Sequence, residues 1–277
     1  MTCYIDKVRS TGSVLALVAV AVLGARGAAA KGWPTPAAGE SASGGPEVLF
    51  TFDDGPNPRT TPHVLDTLAQ HHIHAVFFMV GDMAGNKSPR VAAIIKRILR
   101  EGHVIATHTM KHKDLCRVSE DAAIHDLDDG KATVEAAAGV PTAWFRTPYG
   151  ARCARVEHML EERHLHHFHW DLDPQEWKHG DAAKAVKYVT TELGKASGRN
   201  VLLMHDIKTA TVKALPEILT WLDDENAKRL AAHKKPIVVV QAPQLAIEQL
   251  PKGLGGWLDD ATSGARGLPD AIASVLP

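Results

Sequence analysis

Seven short apolar or β-branched runs recur along this chain, and amphipathic helical segments separate several of them. The runs are Val48–Phe52, Ala75–Val80, Val104–Thr107, Ala143–Arg146, His167–Trp170, Val201–Met204 and Ile237–Val240. The helical segments are Pro62–His71, Pro89–Arg100, Glu120–Ala138, Val156–His164, Ala182–Lys195 and Val212–Leu222. Short apolar runs suit strands buried on both faces, and their alternation with helices predicts a parallel sheet covered by helices. Polar residues narrow the choice. Asp53-Asp54, His108, Arg146, Asp171 and His205 each stand at or just past the C-terminal end of a predicted strand. In a parallel α/β barrel that rim is where sites are built, so a closed or partly open barrel is expected in preference to an open sheet.

The ends of the chain have a different character. Lys7 and Arg9 precede the unbroken apolar run Val14–Leu23, and Ala28, Ala29 and Ala30 follow it, so residues 1–30 are expected to be a signal peptide. Ten apolar residues are too few to span a bilayer, so no stable membrane span is expected and the protein should be exported, periplasmic or secreted. Residues 31–46, rich in Gly, Pro, Ala and Ser, are expected to form a flexible linker. Residues 47–245 form the folded domain, and 246–277 are a C-terminal extension of no assigned role.

The full chain carries a formal charge of −1. Residues 1–30 contribute +2 (Lys7, Arg9 and Arg26 against Asp6), which leaves −3 on the remainder. No basic excess points to nucleic acid. Oligomeric state is not legible. Of three cysteines, Cys3 lies in the signal segment, leaving Cys116 and Cys153 as an even pair for an oxidising compartment. A bridge and two separate buried thiols both fit that arithmetic.

The chemistry is concentrated at His108-Thr-Met-Lys-His112. Read as a helical turn, its i, i+4 spacing turns both imidazoles toward one cation. A carboxylate from Asp53-Asp54 completes a two-histidine, one-carboxylate set with open positions for water or substrate. Consecutive side chains diverge on a regular strand, so both aspartates reach one site only where the strand ends, and Gly55-Pro56 supplies that break. The second carboxylate can then act as a base, which points to metal-assisted hydrolysis. The same ligand set also describes non-haem iron oxygenases, which need neither a paired base nor a distal histidine acid. Each motif alone is weak: Asp-Asp-Gly-Pro is a turn signal, and the chain holds sixteen histidines. His71, His72, His74, His158, His164, His166, His167 and His169 lack matching rim carboxylates and read as helix-surface and strand residues.

Taken together, five segments resemble the polysaccharide deacetylases of the NodB homology type, carbohydrate esterase family 4. They are Thr51-Phe-Asp-Asp-Gly-Pro56, His108-Thr-Met-Lys-His112, Arg146-Thr-Pro-Tyr149, Asp173-Pro-Gln-Glu-Trp177 and Leu202-Leu-Met-His205-Asp206. The resemblance spans residues 47 to about 240 and departs at Glu176, where the family usually has Asp. It implies a distorted (β/α) barrel with about seven parallel strands. It also implies hydrolysis of acetyl groups from N-acetylglucosamine in peptidoglycan or chitin-like oligosaccharides. An O-acetyl xylan esterase, or a non-catalytic wall-binding protein on the same fold, remains an alternative. The segment His205-Asp206-Ile207 is closer to N-acetylglucosamine deacetylases than to xylan esterases.

By position in the family, Asp54, His108 and His112 are the metal ligands, Asp53 the general base and His205 the general acid. Zinc is the expected metal, with cobalt or nickel able to replace it. Arg146 is expected beside Asp53, holding it ionised, and Glu176 beside His205, orienting it. A backbone N–H near Tyr149 is expected to meet the oxyanion, and Trp177 and Leu203 to wall the pocket for the acetyl methyl. Asp171 and Asp206 are expected to cap or buttress the rim.

Overall fold

The computed structural model describes residues 44–248. The expected signal peptide, the linker up to residue 43 and the extension from 249 onward lie outside the described residues. Seven parallel strands form one sheet: β1 (Glu47–Asp53), β2 (Val76–Met79), β3 (Val104–Thr107), β4 (Trp144–Phe145), β5 (His166–His167), β6 (Arg199–His205) and β7 (Val238–Val239). Each falls within or overlaps one of the runs named above. The strand order is β5-β4-β3-β2-β1-β6, with β7 paired to the first residues of β1.

The sheet curls until its two ends meet. His166 and His167 pair with β4, while Leu172, a few residues further along the same segment, bridges to Leu202 of β6. Asp171 contributes there, its carboxylate accepting the Val201 N–H at 2.8 Å. The result is a distorted (β/α) barrel with its last gap closed by an irregular segment instead of an eighth strand.

Alternation along β1 divides the interior from the helical shell. Val48, Phe50 and Phe52 join the cluster that includes Val64, Leu65, Leu68, Ile95 and Ile218 on the surrounding helices. Leu49 packs inside with Val76, Phe78, Ala106, Trp144, Phe168 and Val201. Burial on both sides is why these strands are short, apolar and parallel.

Nine α-helices lie among the described residues: α1 (Thr61–Gln70), α2 (Gly81–Ala84), α3 (Pro89–Arg100), α4 (Glu120–Ala138), α5 (Ala154–Glu162), α6 (Glu176–His179), α7 (Ala182–Lys195), α8 (Thr209–Ala231) and α9 (Ala242–Glu248). Local chemistry explains their limits. In α3 the Ser88 hydroxyl accepts the Arg90 N–H, Pro89 takes the first turn, and Val91, Ile94, Ile95 and Ile98 form the buried stripe. Ser119 caps α4, and Gly139 ends it at φ 72°, a left-handed conformation suited to glycine.

Helix α8 runs well past the expected Val212–Leu222. Its polar last turns carry no apolar period, but Asn226 fixes them by a reciprocal side-chain pair with the Ile237 backbone at 2.7 and 2.9 Å. The one-turn helices α2 and α6 are too short for a periodic signal. Helix α9 places Ala242, Leu245 and Ala246 in the inner cluster, so its buried face belongs to the barrel core. Among the described residues no helix is long and apolar enough to cross a membrane.

Cys116 and Cys153 form a disulfide, with Cα atoms 6.0 Å apart. It ties the segment after β3 to the segment after β4, beside a small cluster that includes Leu115, Phe145 and Val156.

Candidate active site

Asp53 is the last residue of β1, and Asp54 follows it in a left-handed conformation, φ 76°. That turn lets two consecutive carboxylates reach one place. His108 directly follows β3, and its N–H donates to Met79 O of the neighbouring strand at 2.9 Å. The expected helical turn from His108 to His112 is not there. This stretch is an irregular loop, with Thr109 at φ 65° and His112 at φ 54°. The loop, and not helical periodicity, brings the two rings together, with centroids 4.9 Å apart. The physical reason is that this segment's backbone groups bond to neighbouring elements and not to one another in i, i+4 steps.

One ligand atom from each of Asp54, His108 and His112 lies within 4.8 Å of the others. Asp54 Oδ1 stands 3.6 Å from His108 Nε2 and 3.3 Å from His112 Nε2. It is buried and has no hydrogen-bond partner among the described residues, a costly state for a carboxylate oxygen that a cation would relieve. The Nδ1 of His108 meets the Arg146 carbonyl at 2.7 Å. A carbonyl only accepts, so Nδ1 carries the proton and Nε2 presents a lone pair toward Asp54. Burial pushes the His108 pKa down to about 3, which keeps the ring in its neutral, ligating form. The donor set of two imidazoles and one carboxylate therefore fits a divalent cation of the zinc kind. Among the described residues it is the one such group.

Asp53 stands beside the trio, with Oδ2 3.7 Å from His108 Nε2. Its Oδ1 accepts from Arg146 Nη1 at 2.7 Å. Arg146 follows β4, is fully buried, and sits with Cζ 4.1 Å over the Phe78 ring. Its remaining donors go to Thr51 Oγ1 at 2.9 Å, Phe168 O at 3.3 Å and His169 O at 3.2 Å. A guanidinium so fully bonded fixes the carboxylate's position as well as its charge. Burial raises the Asp53 pKa, and the charge of Arg146 and its hydrogen bond only partly oppose this.

His205 ends β6 in direct register with Asp53 of β1. Glu176, at the start of α6, is buried beneath it. Its Oε1 accepts the His205 N–H at 2.8 Å and pairs with His205 Nδ1 at 3.0 Å. Burial pulls the His205 pKa down, yet the Glu176 hydrogen bond and charge, with Asp53 and Asp54, outweigh it and the net shift is upward. Leu203, two residues earlier on the same face of β6, is buried, and the Trp177 ring lies 6.2 Å from that of His205. Trp177 is 44% exposed and Tyr149 69% exposed, so each offers a ring face to solvent at the rim. The Tyr149 ring packs edge-on to His112, centroids 4.7 Å apart.

The histidines read as bland have ordinary partners where the structure gives them one. His167, for example, bridges Thr147 Oγ1 at 2.9 Å and Glu157 at 3.2 Å. Asp206 is fully buried under Gly55 and accepts the Thr61 hydroxyl, with its pKa pushed up to about 7 by burial. Sequence reasoning assigned no part to Thr51, Thr211 and Asp126. Thr51 links Arg146 to the Leu202 carbonyl, Thr211 donates to Glu176 at 3.0 Å, and Asp126 touches the histidine loop. Asp126 had a legible signal, because it is a charged residue on the apolar face of α4 beside Ala123, Leu127, Gly130 and Val134.

Comparison with known proteins finds relatives of this chain. Residues 40–166 match the family model described as polysaccharide deacetylase. A chitooligosaccharide deacetylase of Bradyrhizobium sp. (strain ANU 289) is 36% identical over 166 residues, 59% of this chain and 72% of that protein. A peptidoglycan-N-acetylglucosamine deacetylase of Bacillus cereus is 33% identical over 186 residues, 66% of this chain and 65% of that protein. The solved structure of the peptidoglycan deacetylase PdaC from Bacillus subtilis superposes with a TM-score of 0.60 at 27% identity, covering 75% of this chain and 94% of that one.

Proposed function

This chain belongs to the polysaccharide deacetylase family, and on that premise we propose that it hydrolyses the N-acetyl group of N-acetylglucosamine units in a polysaccharide. The products are acetate and a free amine. The observation that carries the reading is the convergence at one rim of an Arg146-held Asp53, a Glu176-held His205 and, beside them, the Asp54, His108 and His112 trio. An oxygenase reading of the two-histidine, one-carboxylate set gives no role to Asp53 or His205.

The trio would hold a divalent cation, zinc in our reading, with cobalt or nickel also suited to these donors. When bound, such an ion polarises the acetyl carbonyl and acidifies a water molecule. Asp53 takes the proton as that water adds to the carbonyl carbon. Its raised pKa makes it a better base than an exposed carboxylate, and Arg146 holds the acceptor oxygen in place. An amine leaves only after gaining a proton. His205, charged to higher pH by Glu176, supplies it as the C–N bond breaks. In this reading Leu203 and Trp177 shape the space for the acetyl methyl, and a backbone N–H near Tyr149 meets the oxyanion.

Peptidoglycan and chitin-like oligosaccharides are the proposed substrates, following the names of the Bacillus cereus and Bradyrhizobium relatives. Residues 1–30 act as a signal peptide in this proposal, and a bridge between Cys116 and Cys153 suits an exported protein. Acetate release from chitooligosaccharides, peptidoglycan and acetylxylan by the zinc-loaded protein tests it. Release from either N-acetylated glycan, abolished in Asp53→Asn, supports the reading. Release from acetylxylan alone would make it an O-acetyl esterase, and binding without release would make it a wall-binding protein.

A further inference from the structure

The loop that carries both histidine ligands depends on a helix to which the chemistry above gives no part. Thr109 is buried and left-handed, a conformation that β-branched residues rarely adopt, so its neighbours must hold it. The loop's backbone bonds identify those neighbours. Thr109 O accepts the Gly81 N–H and Met110 O accepts the Asp82 N–H, both at 2.9 Å, from the start of α2. The His112 N–H turns back to Thr109 Oγ1 at 2.9 Å. The two N–H groups between them both go to one residue of α4. Met110 donates to the Asp126 carbonyl at 2.7 Å, and Lys111 donates to Asp126 Oδ1 at 3.1 Å.

Asp126 is buried on a helix face otherwise made of Ala123, Leu127, Gly130 and Val134. Among the described residues its Oδ2 has no hydrogen-bond partner, while its Oδ1 accepts from the loop. One turn further along stands Gly130. A Cβ there would overlap the Thr109 carbonyl carbon and come within 2.5 Å of the Met110 nitrogen. The missing side chain lets the loop reach the carbonyl of residue 126.

We infer that Asp126 and Gly130 are positioning residues for the metal centre: α4 receives the His108–His112 loop through them and so sets how tightly the trio holds its cation. This rests on the reading that Asp54, His108 and His112 bind a divalent cation. Neither residue touches that cation. Their effect passes through the loop to the His112 ring, which a bare loop would leave free to turn away. Outer groups that orient metal ligands typically change metal affinity by about 10- to 100-fold when removed.

The experiment measures zinc affinity by competition with a chromophoric chelator, and urea unfolding of the metal-free protein, for wild type, Asp54→Ala, Asp126→Ala, Asp126→Asn and Gly130→Ala. Asp126→Ala is expected to weaken zinc binding by about 10- to 100-fold. Asp126→Asn keeps an oxygen for the Lys111 N–H and is expected to restore most of the affinity. Gly130→Ala separates this inference from simple helix energetics. Helix propensity alone makes alanine stabilising here, with zinc affinity unchanged. The clamp predicts weaker zinc binding instead.

Wild-type zinc affinity in a folded Asp126→Ala or Gly130→Ala protein overturns the inference while leaving the metal assignment intact. If Asp126→Ala does not fold, Gly130→Ala decides. Failure of both to fold also overturns it, because the residues would then serve the fold and not the site. A wild-type protein that binds no zinc, or binding untouched by Asp54→Ala, removes the metal assignment and the inference with it.

Discussion

A single oxygen of Glu176 serves His205 twice, accepting its backbone N–H at 2.8 Å and pairing with its ring Nδ1 at 3.0 Å. The carboxylate therefore sets both the end of β6 and the orientation of the imidazole that ends it. Glu176 opens the one-turn helix α6 directly after Gln175, which is left-handed at φ 54°. With Nδ1 engaged, Nε2 is the ring nitrogen that the proposed reaction would use to deliver a proton.

Glu176→Gln keeps this shape and removes the charge. Without it the imidazole loses its main opposition to burial, so its pKa falls and the protonated form is lost at lower pH. The basic limb of the pH–rate profile should move to lower pH, with the rate down roughly 10- to 1000-fold. A profile and rate identical to wild type would show that His205 works unassisted.

The proposed function gives the neighbours Asp53 and Asp54 different tasks, and substitution should separate them. Asp53→Asn should abolish acetate release yet leave metal content near one per chain. Asp54→Asn and His112→Ala should lower both. Metal analysis of the purified variants, alongside activity, checks this; loss of metal from Asp53→Asn would reverse the two assignments.

Stability should fall in acid through His103. Its ring is buried at the start of β3, Nδ1 accepts the Ala75 N–H at 3.0 Å, and burial lowers its pKa to about 3. A folded pKa below the unfolded 6.5 gives a contribution present above pH 6.5 and lost as pH falls toward 3. At pH 5 that loss is on the order of 2 kcal/mol, since each pKa unit is worth about 1.4 kcal/mol. Urea unfolding at pH 7 and pH 5 should show the drop in wild type and a smaller drop in His103→Gln. Equal drops in both proteins would remove His103 from the account.

The bridge between Cys116 and Cys153 closes a loop across a sequence separation of 37 residues. Its removal in a Cys116→Ala, Cys153→Ala double variant should cost about 2–4 kcal/mol, chiefly by freeing the unfolded chain. Thiol titration of denatured, unreduced protein from an oxidising compartment should find neither thiol free. Two free thiols in that protein would contradict the bridge.

What the sequence determined by itself is the barrel and the identity of its polar rim. Seven short apolar or β-branched runs, alternating with helical segments, implied the strands of a covered parallel sheet. Asp53, His108, Arg146 and His205 followed from that, because the end of a strand is a position in the sequence as well as a place in the fold. The helices α3, α4 and α7 were legible to the residue, since an apolar stripe and a capping residue are both local signals. Helix α6 was not, being a single turn, and neither were the last turns of α8, which depend on the distant Ile237 backbone.

The shape of the His108–His112 loop was decided only in three dimensions. Its spacing suggests a helix, but its N–H groups at Met110 and Lys111 find Asp126, and its carbonyls at Thr109 and Met110 find the start of α2. Backbone polar groups taken out of water bond to whatever the fold places against them, and for this loop the partners come from two other elements. Tertiary structure also chose among readings the residues left open. It joined Cys116 to Cys153, and it closed the barrel with Leu172 instead of an eighth strand. Each of these is a contact between residues far apart in the chain, and no local pattern of side chains encodes its partner.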